Sequence, residues 1–298
     1  SQAFDEPFAD ASALPTWRVC QLARETVTVA LSGDGADEAF AGYRRYRFQA
    51  AEERLRDMLP GGFRQSLFGA LGKYYPKADW APRMFRAKAT FQSLARDGAE
   101  AYARSVGVNP EETRHRLYSD GFRRGLQGHR AEDRYVEAMR NAPAREALDR
   151  AQYADMKIWL PGDILTKVDR TSMAVSLEAR EPLLDHRLVE FAATLPASMR
   201  IRRGEGKWLM KRAMRGHLPD DILYRPKMGF VTPVSAWFRG ALSGAAEALV
   251  TKSRLLDTGW FRQEALEKAV RDHKSGLSNN GRLIWQLVML DKALNRLF

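Results

Sequence analysis

A chain of 298 residues with 45% hydrophobic and 29% charged content is long enough for one large or two smaller domains with a true core. No apolar run approaches the ~20 residues of a membrane span, no secretory h-region opens the chain, and a single cysteine, Cys20, excludes an internal disulfide and any cysteine-based metal cluster, as suits a reducing cytoplasm. The net charge of +11 raises nucleic-acid binding. The basic residues are nevertheless mixed with acids, as in 51–57 and 131–140, with no nucleic-acid module signature and no aromatic–basic interleaving, so nucleic acid is not the expected partner.

Residues 1–15 read as a polar loop; the chain opens on Ser1, and a fragment or processed product is expected. Residues 16–25 read as an amphipathic helix with Thr16 as N-cap and Trp17, Cys20 and Leu22 inward, which makes Cys20 a buried, inert thiol. Val27, Val29 and Leu31 favour β structure, and 27–31 has the length of a buried strand whose parallel partner is expected outside the chain. The strand empties into Ser32-Gly33-Asp34-Gly35-Ala36-Asp37-Glu38, where two glycines permit positive φ or close approach of a ligand. A helix starts near Asp37, with Phe40 and Tyr43 on one side. Strand, glycine turn and helix N-terminus make an anion-binding corner. Asp34, Asp37 and Glu38 would repel a phosphate there unless a cation intervened, which asks for Mg²⁺. A plain βα turn with acids stabilising the helix start by roughly 0.3–1 kcal/mol fits the same spacing.

The helix continues over 43–58 until Pro60-Gly61-Gly62. Helical pieces rich in Arg and Ala follow at 63–73, 82–96, 98–105, 110–117 and 131–141, without legible chemistry. Residues 144–160 form a helix with Leu148, Ala151, Met156 and Trp159 apolar, stopped by Pro161-Gly162. Asp163 N-caps the next, with Ile164, Val168, Met173 and Val175 inward; Lys167, Asp169 and Arg170 are too many charges for a core helix. Residues 178–185 read extended, because Pro182 forces Glu181 out of the helical region. Asp185 caps a helix with Leu188, Phe191, Ala192 and Leu195 apolar. After a basic turn at 200–204, Gly206-Lys207 opens a helix on which Lys207, Lys211 and Arg215 share a face. A solvated face suffices for the last two. Lys207 opposes the helix dipole and needs an anionic partner. Arg225 and Lys227, in a loop with Gly229 and Pro233, suggest closure over polyphosphate or a plain loop with two exposed cations. Residues 240–298 are helical with a turn at 276–281, and Ile284, Leu287, Leu290 and Leu294 line one side of the last helix.

The run SGDGADEAFAGYRRY resembles the second signature of the asparagine synthetase family. LPGDILTKVDRTSMAVSLEAREPLLD, the GEGK before Trp208 and RPKMGF with Pro233 and Trp237 match further family motifs in order, so the resemblance covers roughly residues 5–237. It implies an α/β, adenine nucleotide alpha-hydrolase-like (ATP pyrophosphatase) synthetase domain, present as a predominantly helical C-terminal portion with few parallel strands. Residues 1–60 would be a remnant of the nucleotide-binding core, 61–145 a helical insertion and 146–298 the helical C-terminal part. The implied activity is ATP-dependent adenylation of a carboxylate such as aspartate or an analogue, then amidation by glutamine-derived ammonia. Cofactors would be ATP and Mg²⁺, in the cytoplasm, and a homodimer is compatible.

By the same resemblance, Ser32, Gly33 and Gly35 would bind the adenylate phosphate, Asp37 would hold Mg²⁺ on pyrophosphate, and Lys207 would contact the α-phosphate. Arg225 and Lys227 would bind polyphosphate, Asp34 would orient or deprotonate the amine, and Asp163 would be a second acid near it with Lys167. Asp5, Asp10 and Ser12 would border the nucleotide. Glu38, Asp169 and Arg170 would support the site, and Glu178, Arg180 and Asp185 would lock the helix pair against it. The family's first S-G-G-x-D-S loop and its glutaminase domain are absent from these residues, so the chain is expected not to turn over alone. Asp34 stands where asparagine synthetases carry Glu, which fits another carboxylate substrate. A tRNA-modifying ATP pyrophosphatase and a non-catalytic helical module remain the alternatives.

Overall fold

A computed structural model describes residues 3–75 and 87–297. Ser1 and the first five residues of the expected 82–96 helix lie outside the described residues.

Helix α1 spans Ala13–Arg24. It starts earlier than Thr16 because Asp10 accepts the Ser12 N–H at 2.9 Å and turns the chain, while Thr16 Oγ1 donates back to the Ser12 carbonyl at 2.8 Å and caps nothing. Cys20 is buried, but Trp17 and Leu22 face outward. Strand β1, Val29–Leu31, is shorter and more exposed than expected, with Leu31 74% exposed. Its parallel partner lies within the chain: β2, at Glu178–Arg180, in the register Val29↔Glu178, Ala30↔Ala179, Leu31↔Arg180.

Helix α2 is one turn, Ala36–Ala39, and does not run on. Ala41 takes φ 56°, a left-handed kink that separates it from α3 at Arg44–Met58. Next come α4 at Gly61–Tyr74, α5 at Lys88–Leu94, α6 at Gly98–Val106 and α7 at Glu111–Leu117. Short helices α8 (Asp120–Gly125) and α9 (Asp133–Arg140) lead to α10 (Ala147–Ala154).

Pro161-Gly162 does not end a helix. The backbone continues from α10 through a π-helix, Asp155–Leu165, into α11 at Thr166–Met173. In the wider turn Pro161 gives up an N–H while its carbonyl is taken by Thr166 Oγ1 at 2.7 Å. Asp163 is therefore inside a helix and caps none. Of its expected inward residues Val168 is buried, whereas Met173 is exposed.

A 3₁₀ turn at Pro182–Leu184 precedes α12, His186–Thr194, whose N-cap is Asp185 as expected, accepting the Arg187 N–H at 3.0 Å. Phe191 of α12 is exposed. Helix α13 (Ala197–Arg200) leads into the hairpin β3 (Ile201–Arg202) and β4 (Glu205–Gly206), then α14 (Trp208–Ala213) and α15 (Asp220–Leu223). The chain closes with α16 (Val234–Arg239), α17 (Ser243–Thr251), α18 (Arg254–Asp257), α19 (Gln263–Lys274) and α20 (Gly281–Leu297).

One apolar core joins α16–α20, with Leu249, Leu255, Leu266 and Ile284 at its centre and Leu117 of α7 added. Another gathers Tyr46 of α3, Tyr102 of α6, Tyr135 of α9 and Leu148 of α10, drawing on all three expected segments. A small third cluster packs Ala39 and Phe40 against Ala192 and Leu195, and it seats α2 on α12.

Candidate active site

The site begins where β1 ends. Ser32 N–H donates to the Arg180 carbonyl at 2.8 Å, extending the ladder into the turn, and Ser32 Oγ donates to Asp34. Gly35 sits at φ 86°, and a Cβ there would lie 2.0 Å from Leu184 Cδ2. The turn and the 182–184 segment therefore pack through a glycine. A Cβ on Gly33 would meet nothing within 4 Å, so that side of the turn is open to a ligand.

Glu38, 1% exposed, faces inward and accepts the Tyr43 hydroxyl at 2.7 Å. Burial pushes its carboxyl above the usual range, against the opposing pull of that hydroxyl. Gln152 of α10 donates to the Glu38 and Ala39 carbonyls, satisfying the end of the short α2.

Asp37 points to two lysines from remote segments. Lys207 Nζ lies 3.2 Å from Oδ2 and Lys227 Nζ 2.6 Å from Oδ1. Two left-handed residues make the first contact possible: Ala41, and Lys207 itself at φ 55°. The Lys207 N–H donates to the Phe40 carbonyl at 2.9 Å. Gly206 lies so close that a Cβ would come within 2.3 Å of the Ala41 carbonyl, and a Cβ on Gly42 would fall 1.9 Å from Asp37 Oδ1 and 2.4 Å from Lys207 Cε. Lys207 thus leaves the helical stripe expected with Lys211 and Arg215, because its backbone turns it toward Asp37.

Oδ1 of Asp37 is buried and has no well-directed hydrogen bond, so the close Lys227 ammonium acts on it as a charge without aiming a proton at it. That leaves a carboxylate oxygen to which a harder cation could bind. Among the described residues no group of three or more His, Cys, Asp or Glu could hold a metal. Mg²⁺ at Asp37 would therefore need phosphate oxygens and water to complete six ligands, a usual arrangement for this ion.

Behind the lysines stands a network that the sequence does not reveal. Lys227 Nζ lies 4.3 Å from the Tyr43 ring centroid, and the Arg45 guanidinium 3.9 Å from the same ring. Arg45 in turn donates to Asp155 Oδ2 at 2.7 Å, and Asp155 is fully buried. The same carboxylate accepts the hydroxyls of Tyr46 at 2.5 Å, Tyr102 at 2.6 Å and Tyr135 at 3.2 Å. Burial, then the Asp155 charge, raises all three phenols well above their ordinary range, so each stays a donor.

A second polar cluster adjoins α11. Lys167, nearly buried, donates to Asp10 Oδ2 and Ser12 Oγ, both at 2.9 Å. Burial alone would raise the Asp10 carboxyl, but Lys167 and Ser12 outweigh it and hold it below its usual value. Asp163 feels both charges: burial first and Asp10 second push its carboxyl up to about 6. Glu181 is raised by burial and then by Asp34 and Asp169, an acidic neighbour of the turn.

Other residues singled out from the sequence form no ion pair with this cluster among the described residues. Arg225 is exposed and makes no ion pair among the described residues. Arg170 pairs with Asp5 at 2.5 Å and lies 3.8 Å from Asp169, on the surface. Glu178 and Arg180 pair with each other at 2.7 Å, both more than half exposed. Their backbone, as β2, is what positions the Ser32 turn.

A short parallel strand pair thus feeds a glycine turn and a one-turn helix, and lysines from distant segments converge on Asp37. The family model described as asparagine synthase matches residues 1–295, and the chain belongs to that family. It is 27% identical over 286 residues to glutamine-hydrolysing asparagine synthetase 1 of Bacillus subtilis, covering 96% of this chain and 43% of that protein. A Mycobacterium bovis protein named for the same activity is 32% identical over 294 residues, covering 96% and 42%. The amidase chyE of Penicillium rubens is 26% identical over 271 residues, covering 82% and 38%. The chain thus spans less than half the length of these curated relatives. Among the described residues, no helix is long and apolar enough to cross a membrane.

Proposed function

We propose that this chain is the synthetase part of an ATP-dependent amide-forming ligase on an ATP pyrophosphatase-like framework. It would activate a carboxylate (aspartate or an analogue) as its acyl-adenylate with release of pyrophosphate, and ammonia derived from glutamine would then displace AMP. The observation that carries the reading is Asp37 clasped by Lys207 and Lys227 at 3.2 and 2.6 Å beside the open face of the Ser32–Gly35 turn.

In this reading the carboxylate oxygen of the substrate attacks the α-phosphorus, the bond from it to the bridging oxygen breaks, and pyrophosphate departs. Lys207 offsets charge growing at the α-phosphate, and Lys227 holds the leaving polyphosphate. The Ser32 hydroxyl and the backbone around Gly33 bind the phosphate at close range. Mg²⁺, when bound through Asp37, supplies charge neutralisation on pyrophosphate. Ammonia then attacks the acyl carbon and AMP leaves. Asp163, with its pKa near 6, suits proton removal from the amine, and Asp34 orients it. Asp37, the present partner of both lysines, holds their ammonium groups beside the turn until phosphate replaces that contact.

The test is carboxylate-dependent ATP–pyrophosphate exchange in the intact gene product. Lys207→Ala should lower it by about 10²–10³-fold. Full exchange in Lys207→Ala would end the proposal.

A further inference from the structure

The stripe that Lys207 leaves behind has its own environment. Lys211 and Arg215 of the α14 region, Arg202 and Arg203 of the β3–β4 hairpin, and Arg212 border an open hollow of about 400 Å³. Only one carboxylate, Glu205, shares it, and that one is taken by Lys211 at 2.7 Å. Four arginines therefore line one hollow without a carboxylate within ion-pair distance of their guanidinium groups among the described residues.

Two of these guanidiniums rest on aromatic rings instead. Arg202 lies 4.7 Å from the Trp208 ring centroid and Arg215 5.9 Å from that of Tyr224, which Lys211 also approaches at 5.2 Å. A cation–π contact at an exposed site offsets like-charge repulsion only weakly. Among the described residues, Arg203 and Arg212 have no such contact. The hairpin tip that carries Arg203 is nonetheless fixed: Arg203 and Gly204 take left-handed φ of 50° and 76°, and Arg47 of α3 donates to the Gly204 carbonyl. Guanidinium groups around a hollow whose hairpin backbone is anchored, with their charges unspent, suit a phosphate, since each can offer two parallel N–H donors.

We infer that this hollow is a second anion site, which takes a phosphate anion of di- or triphosphate size. Lys207 lies in sequence among the residues that line this hollow but serves only the first site, because its ammonium is held on Asp37. The volume suits one small ligand, and the cations ring a hollow without forming a stripe, which favours a compact polyphosphate over a nucleic-acid strand. Free pyrophosphate and the phosphates of a nucleotide share this chemistry.

The experiment is calorimetric titration of the intact gene product with pyrophosphate, with ATP and with a single-stranded oligonucleotide. The candidate active site is first silenced by Lys207→Ala/Lys227→Ala. Pyrophosphate should then still bind, one per chain, and more weakly as salt is raised. Adding Arg203→Ala/Arg212→Ala, both exposed positions, should weaken it at least tenfold, while the same pair in the otherwise unaltered protein should leave ATP–pyrophosphate exchange intact. ATP binding as well as pyrophosphate marks a nucleotide as the source; pyrophosphate alone marks the free anion. The inference is overturned by no binding in the silenced protein, by binding indifferent to the arginine pair, or by an oligonucleotide that binds tenfold tighter than either phosphate. None of these outcomes bears on the adenylation reading, which the exchange assay tests separately.

Discussion

Asp155→Asn probes the network behind Tyr43. The carboxylate is fully buried and accepts four side chains: Arg45 and the hydroxyls of Tyr46, Tyr102 and Tyr135. Asparagine keeps the volume but removes the charge and turns an amide donor toward groups that are all donors. Arg45 is left as a largely buried cation with aromatic and hydroxyl neighbours but no carboxylate, which costs about 3–5 kcal/mol. Tyr135→Phe removes one long contact and should cost about 1 kcal/mol. Arg45→Met alone strands the opposite charge and should cost as much as Asp155→Asn. The double variant Asp155→Asn/Arg45→Met leaves neither charge and should be at least about 2 kcal/mol better than the sum of the singles. Native-state hydrogen exchange of α3 and α10 amides reads these values locally, whatever else unfolds in the intact protein. Additive singles, or Asp155→Asn costing under 1 kcal/mol, would show that the buried pair does not organise this core.

Gly42→Ala places a methyl on Asp37 and Lys207 Cε and should cut pyrophosphate exchange at least tenfold, for a stability loss of about 1–3 kcal/mol by chemical denaturation. Asp163 gives a pH signature. Its folded pKa, about 6, exceeds its unfolded value, so the folded state holds the proton more tightly and wild-type stability falls as pH rises from 4 through 6. Asp163→Asn should match wild type near pH 4 and exceed it at pH 7 by on the order of 1–3 kcal/mol, read from denaturation midpoints across that range. Cys20, buried with its thiol pushed up by burial, should alkylate with iodoacetamide about 100-fold more slowly in the native protein than in urea, followed by mass spectrometry.

The parts of the site that were legible are those carried by local chemistry. Ser32–Gly35 and Asp37 announce themselves through glycine spacing and acids at a helix start, and Lys207 through a charge that opposes its helix dipole. The three bonded tyrosines were not legible, because an aromatic residue at helical spacing reads as core wherever it stands. Asp155 likewise reads as a polar position on an amphipathic helix, since its partners come from α3, α6 and α9. Helix boundaries failed where backbone rules were bent: Pro161 is absorbed by a π-helix, and a non-glycine residue, Ala41, takes a left-handed kink that no residue preference foretells. β2 was read as extended, but its pairing with β1 spans about 150 residues, a distance over which sequence pattern carries no register.

The bond from the Lys207 amide to the Phe40 carbonyl sets an order of events during synthesis. At ribosomal rates of 5–20 residues per second, the nascent turn bearing Asp37 waits roughly 9–34 s for its lysine to be translated. The tyrosine-lined helices have all emerged by then and form a platform on which the last third lands. Pocket closure on Lys207 then follows that platform and does not nucleate it. Transition-state values near zero for substitutions at Gly206 are the expected signature, and values near one would reverse the order.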